Sequence, residues 1–425
     1  METVALLDMV LYQFRSLFGS QNFSLFCAYI YGVILCAGRH SVTEIYRASG
    51  CEVSYWSLIK FLSRGQWDWQ KVCSRLIRIV LAYVPNRLYL YDHTYAVKTG
   101  KQQFGLQFFR NYRYVKGNTN QSKFHWGHQF AGLGILGLTK TDSFLFPVWV
   151  RLLRGKADDA LIAFKSAIGL LPVGLIVFDR GFNNRKYFKA LIDKGHHLLC
   201  RVRKNAAFYY PAPPKPVGKP GKQATYGKRA DFRHWHYQEV YVPDLDKTYE
   251  LAHHIVRTKM CPEPVHLVVI RTKPKKSQPY RYFLVFTTDL TLSVEQIVYY
   301  YTLRWKIETG FRDYKQSFGF DQYRVRSKKA IQRSVTLSFV AASLTQLMAL
   351  PHFLNAHHHA QHKLKQALKE MNIYWYHPKR WTLGLVVAYL RWQMRPQIYP
   401  TRFSSDKNSQ YISTEQAYTY RQAAA

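Results

Sequence analysis

The stretch of residues 301–315 constrains the fold more than any other part of the sequence; it reads YTLRWKIETGFRDYK. At about 100° per residue, Tyr301, Arg304, Glu308 and Lys315 fall within roughly 60° of one another on a helix and form one polar stripe. An apolar stripe follows the same spacing and consists of Tyr300, Leu303, Ile307, Phe311 and Tyr314. We therefore predict a single amphipathic helix that packs on a core and carries a half-buried carboxylate.

Two interpretations of the polar stripe are open at this point. Arg304 and Glu308 are four residues apart, and such pairs on helices are usually weak surface ion pairs. Alternatively, a carboxylate flanked by three groups that can hold phosphate suits metal-assisted phosphodiester chemistry. The pattern Tyr-x2-Arg-x3-Glu-x6-Lys fixes four residue types, and a chance match is rare. The full pattern therefore favours the second interpretation.

Two apolar segments with the pattern of buried strands each end in an acid. Residues 88–92 end in Asp92, and residues 173–179 end in Asp179. A strand-end acid often only caps a turn, so neither residue alone indicates a site. The surrounding segments are predicted as strands at 124–137, 144–152 and 197–202 and as helices at 157–170 and 185–194. This order of elements describes an α/β ribonuclease-H-like core.

These residues together carry a family resemblance. The pattern in residues 301–315 resembles the signature helix of DDE transposases of the insertion-sequence-4 superfamily, and Asp179-Arg180-Gly181-Phe182 resembles the family's second-acid motif. The resemblance implies a ribonuclease-H-like fold and a catalytic triad that binds two Mg²⁺ or Mn²⁺ ions, formed by Asp92, Asp179 and Glu308. It also implies DNA contacts from Tyr301, Arg304, Lys315 and Arg180. Relatives often have a second Asp after the first acid, where this chain has His93.

Residues 205–285 differ in character from the core. A proline-rich run at 211–220 cannot lie inside a helix or a central strand, and segments of alternating hydrophobicity follow it. Aromatic residues lie among many Lys and Arg residues here, a mixture that suits base stacking next to phosphate neutralisation. We therefore predict a β-rich basic insertion in the core. Because relatives stack a flipped base on an aromatic residue of the insertion, Trp235 is our candidate for that contact.

The N-terminal region is predicted to be helical. Residues 41–50 have the pattern of a capped helix, and a second helix is predicted at 53–63. Two short helices joined by a Gly-containing turn suggest a helix-turn-helix at 41–64, with Tyr55 and Lys60 as DNA contacts, although an ordinary helical hairpin fits equally well. The predicted domains are a helical DNA-binding region at 1–85, the catalytic core at 86–204 and 286–350, the insertion at 205–285, and a helical C-terminal region with a disordered tail at 351–425.

The composition indicates a folded protein with a polyanionic partner. Lys and Arg number 61 against 25 Asp and Glu, a formal net charge of +36, while 48% of the residues are hydrophobic. So much apolar material excludes a disordered basic tail, and the dispersed charge suits nucleic acid better than a membrane. The apolar runs are too short to span a bilayer, no signal peptide is evident, and the six cysteines form no Cys-x-x-Cys pair. We expect a protein of the reducing bacterial cytoplasm, associated with the nucleoid.

Together with the resemblance, these features predict a transposase. The expected reaction is cut-and-paste transposition, in which double-stranded DNA is cleaved at the ends of a mobile element and the freed ends are transferred into target DNA. One active site must act on each end, so a homodimer is expected in the DNA complex. Two alternatives remain open, namely a catalytically silent DNA-binding regulator derived from a transposase and a stand-alone ribonuclease-H-like DNA nuclease.

Overall fold

The structure of the protein is a computed structural model with two compact units. The first unit comprises Met1–Arg87, His93–Lys156 and Gly310–Ala425, and the second comprises Leu88–Asp92 and Ala157–Thr309. The described residues are 2–403 without 53, 112–113, 117–121, 140–141, 157, 219, 273–278, 351–359, 374 and 379–380. The predicted tail beyond residue 403 lies outside them.

Both units contain helices and strands, which gives a mixed α/β fold. The helices are α1 (Glu2–Tyr12), α2 (Ser20–Leu35), α3 (Val42–Ser49), α4 (Tyr55–Ser63), α5 (Trp69–Tyr83), α6 (Asp159–Ile168), α7 (Arg185–Ile192), α8 (Val294–Thr302), α9 (Trp305–Phe318), α10 (Lys328–Met348), α11 (Ala360–Glu370) and α12 (Leu383–Phe403). The strands are β1 (Arg87–Lys98), β2 (Gln107–Arg110), β3 (Phe124–Leu138), β4 (Ser143–Leu153), β5 (Leu175–Phe178), β6 (His197–Val202), β7 (Tyr209–Pro211), β8 (Tyr226–Arg229), β9 (Gln238–Val242), β10 (Lys247–Thr258), β11 (Cys261–Thr272) and β12 (Arg281–Thr287). Among the described residues, no helix is long and apolar enough to cross a membrane.

The second unit is built on a mixed sheet. The Leu88–Asp92 part of β1 pairs in parallel with β5, and β5 pairs in parallel with β6. β12 then pairs antiparallel with β6, and β11 and β10 continue the sheet. Phe164 of α6 and Phe188 of α7 both contact Phe178 of β5, so these helices cover the same face. The strands of the predicted insertion are therefore hydrogen-bonded to core strand β6 through β12.

Strand β1 is longer than the sequence pattern predicted. The apolar run suggested a strand that ends at Asp92, whereas β1 continues to Lys98. Beyond Asp92 the apolar run stops, but buried Thr94 and Ala96 alternate with exposed residues, as expected of a strand with one solvated face. Asp92 thus lies inside a strand, while Asp179 directly follows β5 as expected.

The prediction of one continuous helix over residues 301–315 is wrong. α8 ends at Thr302 and α9 begins at Trp305. The backbone tightens between them, because the amides of Arg304 and Ile307 donate to carbonyls three residues earlier instead of four. No glycine or proline marks this break. The predicted apolar stripe is nevertheless buried at Leu303, Ile307, Phe311 and Tyr314.

The first unit is organised around helix α10. This helix packs against α2, α4, α5 and β4, and β3 pairs antiparallel with β2 and β4. Arg333 of α10 is only 1% exposed, and its guanidinium donates to four backbone carbonyls, two in the last turn of α4 and two in the segment that connects α4 to α5. It also stacks over the Trp67 ring. Arg333 is therefore a structural residue.

Acid is expected to destabilise the first unit through His128. This side chain is fully buried, with Nδ1 2.6 Å from the Tyr323 hydroxyl and Nε2 2.9 Å from the Phe104 carbonyl oxygen. Burial lowers the pKa of His128 from 6.5 to about 4, so between these pH values the unfolded chain binds a proton that the folded chain does not. The free energy of unfolding should be fully retained above pH 6.5 and fall as the pH drops towards 4.

Urea denaturation across this pH range measures the effect. We expect a shallower pH dependence in His128→Gln than in the wild type, and an unchanged one in the control His236→Gln, since His236 is exposed. Equal pH dependence in His128→Gln and the wild type would contradict the assignment.

Candidate active site

Strand pairing places the two predicted aspartates side by side in the second unit. β1 and β5 pair in parallel, with Leu90 opposite Val177. Extending this register by two residues, past the end of β5, places Asp92 opposite Asp179. Adjacent strands lie about 4.8 Å apart. The sheet therefore brings two acids that are distant in sequence to neighbouring positions.

Packing on the other face of the sheet fixes the direction of both acids. The Tyr91 ring lies 4.9 Å from Phe164 and 5.2 Å from Phe182, and Phe178 meets the same two rings. Side chains alternate along extended backbone, and the residue after Phe178 is still extended. The two acids therefore point to the face that α6 and α7 leave uncovered.

Tyr301 lies on this same face. The register of β5 with β6 sets Arg201 at the position next to Asp179. The Arg201 guanidinium lies 4.2 Å from the centre of the Phe283 ring, and that ring is 5.6 Å from Tyr301. Burial raises the pKa of Tyr301, so its hydroxyl stays protonated at neutral pH and can donate a hydrogen bond.

Arg304 is bonded to the third predicted acid and lies within the electrostatic range of Asp179. Its Nη1 donates to Glu308 Oε1 at 2.5 Å, and only 14% of its side chain is exposed. Burial disfavours the charged guanidinium, but the hydrogen bond to Glu308 and the nearby negative charges, Asp179 among them, outweigh burial and raise the pKa of Arg304. The pair is therefore more than a solvated surface contact, because one half-buried cation interacts with two of the three acids.

The other phosphate contacts implied by the resemblance are partly exposed. Lys315 lies two turns beyond Glu308 along α9, in the part of this helix that belongs to the first unit. Its Nζ donates to the carbonyl oxygen of Tyr95 at 2.7 Å. Arg180 lies on a single 3-10 turn directly after Asp179 and is exposed to solvent.

The predicted helix-turn-helix residues lie on α4 of the first unit. Lys60 is exposed, whereas Tyr55 is half-buried and its hydroxyl accepts a hydrogen bond from Thr43 Oγ1 at 3.2 Å. Trp56, which the sequence analysis did not select, is 63% exposed on the same helix. The sequence shows a tryptophan at this position, but it does not distinguish an exposed tryptophan from one buried in the core.

Trp235 is packed inside the second unit. Its side chain is 9% exposed, its Nε1 donates to the Tyr210 hydroxyl at 2.8 Å, and its ring lies 4.5 Å from that of His254. In this conformation the indole presents little surface to a DNA base. Trp305, which follows Arg304 directly, is 58% exposed and presents far more.

A cleft of about 1280 Å³ in the second unit opens beside Arg304 and Tyr301. Its described lining includes five cations and no carboxylate. These cations are Arg201, Lys204, Arg233, Arg281 and Arg304. Aromatic side chains, Trp305 included, line the same cleft. Cations that neutralise phosphate, next to rings that can stack on bases, suit a DNA strand.

The acids suit a hard divalent cation in their chemistry. Carboxylate oxygens are the ligands that Mg²⁺ and Mn²⁺ prefer, and Asp92 and Asp179 occupy neighbouring register positions. Glu308 is instead hydrogen-bonded to Arg304. Within the described ranges, no three His, Cys, Asp or Glu side chains lie close enough together to hold a metal ion. The arrangement is two adjacent acids and a third held by an arginine.

Comparison with known protein families identifies the family of this chain. The family described as "Transposase DDE domain" matches residues 110–344, more than half of the chain. The chain belongs to the DDE transposase family. A second family, described as "DDE superfamily endonuclease", matches residues 14–153. A comparison with curated proteins found no match.

The two matches together span all three acids of this DDE transposase. Asp179 and Glu308 lie within the transposase match, and Asp92 lies within the endonuclease match. Both descriptions support a nuclease of the transposase type. DDE domains generally use divalent metal ions, which agrees with a donor set made of carboxylates.

The packing of Trp235 predicts that this residue stabilises the fold, and two variants distinguish this role from a contact with DNA. Trp235→Phe removes the hydrogen bond to Tyr210 and leaves a small cavity, at an expected cost of about 1–3 kcal/mol in the free energy of unfolding. Tyr210→Phe removes only the hydroxyl and should also destabilise the protein. Thermal denaturation and duplex affinity should be measured for both variants. Unchanged stability together with weaker DNA binding in Trp235→Phe alone would instead assign this residue to DNA.

Proposed function

We propose that the chain catalyses cut-and-paste transposition as a member of the insertion-sequence-4 superfamily. The strongest support is the parallel register that sets Asp92 beside Asp179, with Arg304 interacting with both Asp179 and Glu308. The four-residue pattern that runs from Tyr301 to Lys315 supports the assignment to this superfamily. The reaction is cleavage of double-stranded DNA at the ends of the element, followed by strand transfer into target DNA.

Asp92, Asp179 and Glu308 are the residues that would hold two Mg²⁺ or Mn²⁺ ions. Such ions, when bound, activate the attacking oxygen and stabilise the leaving oxygen of a phosphodiester. Arg304 donates a hydrogen bond to Glu308. A DNA phosphate competes for the same guanidinium, because arginine binds phosphate through two parallel hydrogen bonds. Phosphate binding thereby frees the Glu308 carboxylate to join the two aspartates.

The surrounding residues position the DNA. The Tyr301 hydroxyl donates a hydrogen bond to the phosphate at Arg304, and Arg180 contacts a neighbouring phosphate. Lys315 contacts DNA from the first unit. Trp305 stacks on a base in the basic cleft beside Arg304, since it is exposed where Trp235 is buried. Tyr55 and Lys60 contact DNA from α4, and a homodimer holds two ends at once.

Cleavage assays of acid variants test this proposal. The substrate is a duplex that contains the DNA found on either side of the coding region, and strand cleavage is followed with and without Mg²⁺. Asp179→Asn and Glu308→Gln each remove a ligand whose charge stabilisation is worth several kcal/mol, so we expect rates lower on the order of 10³-fold or more. Binding of the same duplex should be retained.

Asp193→Asn is the matched control for charge, because Asp193 is exposed and pairs only with Lys189 at the surface among the described residues. It should cleave at the wild-type rate. Cleavage at the wild-type rate by Asp179→Asn or Glu308→Gln would contradict the proposed catalytic triad. DNA binding without Mg²⁺-dependent cleavage in the wild type would favour the catalytically silent regulator.

A further inference from the structure

The first unit contains a basic cleft of its own, with a volume of about 1060 Å³. It lies between the segment that follows β1 and the segment that follows α9. We name it the Lys98 cleft, and its cationic side chains are Arg39, Lys98, Lys101, Arg324 and Arg326. None of these residues belongs to the acid site or to the resemblance that identified it.

Hydrogen bonds tie the two segments together. The Phe104 amide donates to the carbonyl oxygen of Arg326 at 2.9 Å. Lys98 Nζ donates to the carbonyl oxygens of Asp321 and Tyr323 at 2.6 and 2.9 Å. The walls of the cleft are thus fixed by the fold and need no ligand to form.

The floor of the cleft presents no aromatic face. Tyr323 is 3% exposed, and Lys98 Nζ lies 3.4 Å above its ring centre, so the ring is covered by a cation. Burial lowers the pKa of Lys98 to about 7 despite the nearby charge of Asp321, and the charges of Arg39 and Arg324 add to this effect. Burial of the Lys98 ammonium is thus the main cause of the lowered pKa, and the cations of the rim contribute less.

The rim of the cleft carries exposed cations that lack a carboxylate partner among the described residues, namely Arg39, Lys101, Arg324 and Arg326. Asp321 is the one acid in the described lining, so five cations face one carboxylate. At Gly38 and Gly100 a Cβ atom would meet nothing within 4 Å, so a ligand can approach the backbone there. The cleft therefore has the charge and the access that a chain of phosphates requires.

We propose that the Lys98 cleft binds the phosphodiester backbone of duplex DNA without regard to sequence. Several separate cations around an open cleft fit consecutive phosphates better than one small anion. The covered Tyr323 ring leaves no stacking platform for a base, which distinguishes this site from the aromatic cleft beside Arg304. The site goes beyond the proposed reaction and shares with it only that DNA is the ligand.

Salt-dependent DNA binding tests the proposal. Fluorescence anisotropy of the full chain with a 30-base-pair duplex of arbitrary sequence, without divalent metal ions, gives affinity at several salt concentrations. Each phosphate contact contributes about 0.9 to the slope of log K against log salt, so Arg324→Gln/Arg326→Gln should lower the slope by about 1.8 and the affinity on the order of tenfold. A duplex of unrelated sequence should show the same losses.

The control is Arg185→Gln/Lys186→Gln, which removes two exposed cations from α7 of the second unit. It changes the net charge equally and should leave the slope close to the wild-type value. An unchanged slope in the cleft variant, an equal loss in the control, or a loss that depends on DNA sequence would each overturn the proposal.

Two further measurements distinguish a loss of DNA binding at the Lys98 cleft from misfolding and from a loss of catalysis. Arg324→Gln and Arg326→Gln alone should each lower the slope by about 0.9, and thermal denaturation should match the wild type because both residues are exposed. If Asp179→Asn and Glu308→Gln still cleave DNA, the catalytic proposal is wrong, but the expected slopes of log K against log salt do not change. Unchanged slopes in both single variants would remove the cleft and leave the catalytic proposal intact.

Discussion

The parallel pairing of β1 with β5 is the constraint on which the rest of the site depends. The register pairs Leu90 with Val177, and its extension by two residues places Asp92 opposite Asp179. A shift of a single residue would turn one acid towards the packed face, because side chains alternate along a strand. The rings of Tyr91 and Phe178, both held against Phe164 and Phe182, make such a shift costly. The core packing therefore positions the acids.

Charge around the acids is arranged in favour of a negatively charged substrate. Arg304 is half-buried and hydrogen-bonded to Glu308, and the charge of Asp179 lies near enough to raise its pKa further. The adjoining cleft adds further cations without a carboxylate in its described lining. Two close aspartates would repel a phosphate by themselves. The surrounding cations offset that repulsion.

Local sequence patterns predicted much of this arrangement. The apolar runs before Asp92 and Asp179, the order of strands and helices around them, and the buried stripe from Leu303 to Tyr314 follow from hydrophobic periodicity. The break between α8 and α9 was missed because no Gly or Pro marks it. The burial of Trp235 and of Arg333 depends on partners far away in the sequence, as does the Lys98 cleft. Periodicity carries no information about such contacts.

Cleavage of the polypeptide by bound iron tests the proposed metal site at the three acids most directly. Fe²⁺ in place of Mg²⁺, with ascorbate and hydrogen peroxide, cuts a protein backbone next to its ligands, and mass spectrometry locates the cuts. The account predicts cuts close to Asp92 and Asp179 in the free protein, an additional cut close to Glu308 when duplex DNA occupies Arg304, and suppression of all three by excess Mg²⁺. Cuts only at other positions, or none close to the two aspartates, would contradict it.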